Sequence, residues 1–73
     1  MGMYGKRIRE LREERGMTQK ELAEKLHVSQ RTLSRFELEQ HDLSTQTIIE
    51  LTRIFNVSSD YILGIEDETG AKS

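Results

Sequence analysis

Residues 18–37, TQKELAEKLHVSQRTLSRFE, decide the fold of this 73-residue chain, because they read as two short helices joined by a tight turn. Thr18 followed three residues later by Glu21 is a capping box. The hydroxyl takes an orphan backbone N–H and the carboxylate reaches back to the cap, so a helix starts here. Leu22, Ala23 and Leu26 fall on one face of it, while Lys20, Glu21, Glu24 and Lys25 take the other. His27-Val28-Ser29 breaks the helix, and the Ser29 hydroxyl offers a second N-cap from which a new helix begins at Gln30. So short a connection forces the two helices to meet at a steep angle.

In the second helix Leu33 and Phe36 point inward, which leaves Gln30, Arg31, Ser34 and Arg35 outward. That exposed set is rich in amide and guanidinium groups and has no carboxylate, unlike almost every other exposed face of the chain. It is the inventory that reads duplex DNA: arginine pairs with guanine O6 and N7, and glutamine with adenine N6 and N7, in the major groove.

Composition bounds the rest. A chain of 73 residues with 34% hydrophobic content is one domain with a small core. Cores of this size contribute about 3–5 kcal/mol, so marginal stability or dimerisation is expected. The chain has no cysteine, hence neither a disulfide framework nor a thiolate metal site, which suits a reducing cytoplasm. No apolar run approaches the ~18 residues of a membrane span, and MGMYGKRIRE lacks the apolar core of a signal peptide. The net charge of -2 is unusual for a nucleic-acid binder, but Glu66, Asp67 and Glu68 against Lys72 account for all of it. Elsewhere two surfaces read as basic. Up to Arg15, the bases Lys6, Arg7, Arg9, Arg12 and Arg15 outnumber Glu10, Glu13 and Glu14; from His27 to Phe36 there are Arg31 and Arg35 and no acid.

Outward from the central stretch, Tyr4, Ile8 and Leu11 recur at helical spacing in a first helix that ends before Gly16, a residue suited to a left-handed cap. Leu38 to Leu43 has no apolar period and reads as a loop. Ser44 caps a fourth helix, in which Ile48, Leu51 and Phe55 repeat, Ile49, Thr52 and Ile54 widen the buried face, and Asn56 closes the end. Ser58 caps a last short helix, Ser59 to Leu63, closed by Gly64. The expected architecture is all-α, with five helices in a compact domain spanning 1–65 and a disordered acidic tail at 66–73. His27 and His41 have no partners at metal-ligand spacing, and no nucleophile or phosphate-loop motif is present, so neither an enzyme, a cofactor nor a small-molecule ligand is expected.

The segments IRELREERGMTQKELAEKLHVSQRTLSRFE and IIELTRIFNVSSDYILG resemble the Cro/C1-type helix-turn-helix domain, the XRE family of phage repressors and small bacterial regulators. The resemblance runs roughly from Lys6 to Gly64. It implies a lambda-repressor-like fold whose second motif helix lies in the major groove while the first crosses the backbone, with dimers on half-sites about one helical turn apart. Gln30, Arg31 and Arg35 match its base-reading positions, and Ser29, Thr32 and Ser34 match positions that touch phosphate or sugar. Gln19 matches a glutamine that approaches phosphate at the start of the first motif helix, where the dipole favours an anion. Arg12 and Glu37 match a structural ion pair, and Lys6 or Arg7 would assist on phosphate. There are departures. His27 stands where glycine is usual, in a turn that histidine tolerates better than most residues. Glu39 and Leu43 stand near the usual glycine and proline of the next loop. The acids Glu39 and Asp42 reduce that loop's phosphate-contact candidates to Gln40 and His41.

The function expected is therefore a cytoplasmic, sequence-specific regulator acting as a homodimer on a double-stranded operator. Tyr61, Ile62 and Ile65 are the candidate dimer contacts. The alternative, from the acidic loop and tail, is a protein-interaction module on the same fold, such as an antitoxin or anti-repressor partner.

Overall fold

The computed structural model describes residues 4–64, and within them the chain forms α1 (Tyr4–Glu14), α2 (Gln19–Leu26), α3 (Gln30–Glu37), α4 (Thr45–Phe55) and α5 (Ser59–Ile62). Ile65 and the tail expected at 66–73 lie outside the described residues.

Each start follows from local hydrogen bonding. Thr18 accepts the Glu21 N–H at 3.0 Å and its own N–H donates to the Glu21 carboxylate at 2.8 Å, which completes the capping box. Ser29, Ser44 and Ser58 cap α3, α4 and α5 through the N–H groups of Thr32, Thr47 and Tyr61. The ends of α1 to α4 share one device, a left-handed residue that lets the chain turn back and satisfy the last carbonyls. Gly16, His27, Glu39 and Asn56 occupy it with φ of 67°, 60°, 59° and 55°. At α3, for instance, Gln40 N–H donates to the Arg35 carbonyl at 2.8 Å and Glu39 N–H to that of Phe36 at 3.1 Å.

Ile8, Leu11, Leu22, Ala23, Leu26, Leu33, Phe36, Leu51, Phe55 and Ile62 form the buried core. α3 lies against α1 and α2, and α5 closes the body against α1 and α4. The expected faces of α1, α2 and α3 are those observed. That of α4 is narrower: Leu51 and Phe55 are buried, Ile48 is half-buried outside the core cluster, and Ile49 is 38% exposed. At about 100° per residue Ile49 falls some 160° from Leu51, on the far side of the helix. Ile62, expected at a dimer contact, is instead fully buried, because α5 is so short that its one inward residue must seal the core.

Gly5 sets how closely α1 approaches α3. A Cβ there would collide with the backbone carbonyl of Glu37 and with Glu39 Cγ, so the first turn of α1 packs directly on the end of α3.

Candidate nucleic-acid interface

One open groove carries most of the side chains expected to meet DNA. Gln19 from α2, Gln30, Arg31, Ser34 and Arg35 from α3, and Leu38 and Gln40 just beyond it line a single concave surface. Gln30, Arg31 and Arg35 are exposed and Ser34 is half-buried at the floor. None of the seven lining residues carries a carboxylate, so the field of the two guanidinium groups is not cancelled within the groove. Ser29 and Thr32 stand outside it, at the N-terminal end of α3, where the Ser29 hydroxyl donates to Thr32 Oγ1 at 3.0 Å.

The nearest acid on α3, Glu37, is turned inward with its side chain 4% exposed. Arg12 donates to it through Nε at 2.7 Å and Nη2 at 3.3 Å, in the forked geometry that best satisfies a carboxylate. Gln19 Nε2 adds a third donor to Glu37 Oε1 at 3.0 Å. One buried carboxylate therefore orients both α1 and the first side chain of α2, and it holds the Gln19 amide at the rim of the groove. The first-turn N–H groups of α2 lack partners within the helix, and together with the dipole they favour an anion at that end.

Three bases of the N-terminal stretch are occupied elsewhere. The Arg7 side chain is buried, not surface-directed, and its guanidinium sits 4.2 Å over the Tyr61 ring. Arg12 is held by Glu37. Arg15 donates to the Phe55 carbonyl at 2.8 Å, at the C-terminal end of α4 where the dipole favours a cation. Of the two bases expected to assist on phosphate, Lys6 is exposed and Arg7 is not; Arg9 is exposed as well.

The acidic loop is also rearranged. Glu39 Oε2 accepts the Gly5 N–H at 3.0 Å and so caps the start of α1. The Tyr4 hydroxyl donates to the His41 carbonyl at 3.0 Å, and the His41 ring meets Phe36 edge-on at 5.2 Å. Gln40 lines the groove and His41 does not. Leu38, read before as the start of a structureless loop, is a groove residue. Its spacing of four and eight from Ser34 and Gln30 was the available signal. Among the described residues there is no group of three or more His, Asp or Glu side chains placed to hold a metal ion, and no helix is long and apolar enough to cross a membrane.

Two short helices joined by a tight turn, the second with Gln30, Arg31 and Arg35 exposed, define a helix-turn-helix domain. The helix-turn-helix family model matches residues 8–62. Over 69 residues, 94% of this chain, the sequence is 45% identical to the HTH-type transcriptional regulator ImmR of Bacillus subtilis (strain 168), of which it covers 54%. The N-terminal DNA-binding domain of SinR from Bacillus subtilis matches with a TM-score of 0.76 and 33% identity over 94% of this chain and 97% of that one. A chain of the SinR–SinI complex matches with a TM-score of 0.77 and 32% identity, over 97% of this chain and 69% of that chain. The P22 c2 repressor in complex with a synthetic operator shares the fold, with a TM-score of 0.82 at 24% identity over 90% of this chain and all of that one. The chain belongs to the Cro/C1-type helix-turn-helix family. It spans about half the length of ImmR.

Proposed function

We propose that this chain is the DNA-binding module of a transcriptional regulator, repressor-like in action, that reads a specific double-stranded sequence by laying α3 in the major groove. The observation that carries the reading is the acid-free groove of Gln19, Gln30, Arg31, Ser34, Arg35 and Gln40. Arg31 and Arg35 present forked donors to guanine, and Gln30 presents its amide to adenine. Gln19 and Ser34 hold phosphate beside the first turn of α2, with Ser29 and Thr32 on the backbone at the N-terminal end of α3 and Lys6 assisting. A single module of this kind covers only about 600–1,000 Å² on DNA, so a second copy on a half-site one helical turn away supplies the remaining affinity. Such a module works beside the chromosome, in the cytoplasm of a bacterial cell.

The test is selection of duplexes from a random pool by the whole chain, repeated with Arg31→Ala. The substitution is expected to cost about 1–3 kcal/mol and to relax the preference at one base pair. An equal loss on every sequence would remove Arg31 from base reading.

A second reading, a module that pairs with another protein, is favoured by one observation, the likeness to a chain of the SinR–SinI complex. The acidic loop does not favour it, because the Glu39 carboxylate is bonded to α1.

A further inference from the structure

We infer that Leu38 is a further specificity-determining residue, which reads the C5 methyl group of a thymine. This rests on the DNA-binding reading above. Leu38 is 63% exposed, the most exposed large apolar side chain among the described residues, and it lies outside both the core cluster and the side chains packed against it. Leucine has no structural reason to be there. Its backbone, at φ -90° and ψ 0°, continues the line of α3 by one residue. Gln30, Ser34 and Leu38, four residues apart, therefore form one stripe along the groove that also holds Arg31 and Arg35.

The surroundings define what Leu38 can recognise. Every other lining side chain is polar, and three of them, Gln30, Arg31 and Arg35, are assigned to hydrogen-bonding base edges. A major groove offers one apolar group among them, the thymine methyl, which apolar side chains recognise by contact. Along a helix Leu38 stands roughly 12 Å from Gln30. At about 3.4 Å per base pair, this places the thymine three to four pairs from the one Gln30 meets.

The experiment replaces each thymine of the selected duplex in turn by deoxyuridine, which removes only the methyl group, and measures binding of the whole chain, Leu38→Ala and Leu38→Met. Wild type is expected to lose about three- to fivefold at one thymine of each half-site, the effect of burying one methyl group. Leu38→Ala should lose as much on the thymine duplex and then be indifferent to deoxyuridine there, whereas Leu38→Met should retain the discrimination. The inference is overturned if Leu38→Ala binds as tightly as wild type, or if its loss multiplies with that of deoxyuridine at every position. In both cases a specific duplex bound through Arg31 would leave the DNA-binding reading intact. A wild-type chain that enriches no duplex overturns both.

Discussion

Glu37 has more consequences than any other side chain of α3, although none of it faces the groove. It accepts from Arg12 twice and from Gln19 once, at 4% exposure, while the Arg12 side chain is itself 12% exposed. Removing one partner of such a pair strands the other charge in a poorly solvated place. Glu37→Ala is expected to cost about 3 kcal/mol, close to the whole stability of so small a domain. The double change Arg12→Met with Glu37→Leu should cost much less, because no charge is left behind. Urea denaturation of the two variants beside wild type decides it; equal losses for the single and double changes would deny the pair its electrostatic role. Tyr4 supplies a pH dependence. Burial first, then the carboxylates of Glu39 and Asp42, raise its pKa above the ordinary 10.0. Below about pH 10 the phenol is protonated folded or unfolded and contributes nothing to pH dependence. Above it the unfolded chain releases the proton first, so stability falls as pH rises through the folded value. Above about pH 10 the denaturation midpoint of wild type should drop more steeply than that of Tyr4→Phe.

At the scale of the helix, the four left-handed caps are the places where this chain has not used the most favourable residue throughout. Gly16 adopts its conformation without a Cβ penalty and Asn56 with a small one, but His27 and Glu39 are strained in it. His27 is exposed, and its backbone is what closes α2, with its N–H bonded at the end of that helix. His27→Gly should therefore stabilise the domain by about 1 kcal/mol and raise the melting temperature by roughly 4–8 °C. Glu39 differs, since its side chain accepts the Gly5 N–H. In Glu39→Gly the relief of strain is offset by an orphaned donor at the start of α1. Calorimetry on the two variants should show a clear gain for His27→Gly and a smaller gain, or a loss, for Glu39→Gly. Equal gains would mean that the Glu39 carboxylate contributes nothing to α1.

Across the whole molecule, net charge misleads about where an anion can bind. Arg7, Arg12 and Arg15 are committed to Tyr61, Glu37 and the end of α4, whereas Arg31 and Arg35 of α3 stand exposed on a surface without a carboxylate. Glu37 and Glu39 are withdrawn from that side by the same packing. A chain with a net charge of -2 can then bind a duplex by a local field that acts over about 8 Å in physiological salt. Affinity for the selected duplex should fall at least about tenfold between 50 and 200 mM salt, as measured by titration under fixed temperature and pH. Absence of binding to any duplex at 50 mM would favour the protein-partner reading instead.

The helix boundaries and the exposure of Gln30, Arg31 and Arg35 were legible in the residues alone. A cap is a hydrogen bond between groups two or three positions apart, and a helix face is a repeat of three to four, so both are written in local order. That is why Thr18 with Glu21, Ser29, Ser44, Gly16 and Asn56 marked their turns correctly. Where side chains forty positions apart meet is not written locally. Only the tertiary structure assigned Arg15 to the Phe55 carbonyl, Arg7 to the Tyr61 ring, Glu39 to the first turn of α1 and Ile62 to the core, and only it placed Leu38 in the groove. A charge or an apolar group is committed by whichever distant surface folds against it, and in a body this small almost every residue lies near one.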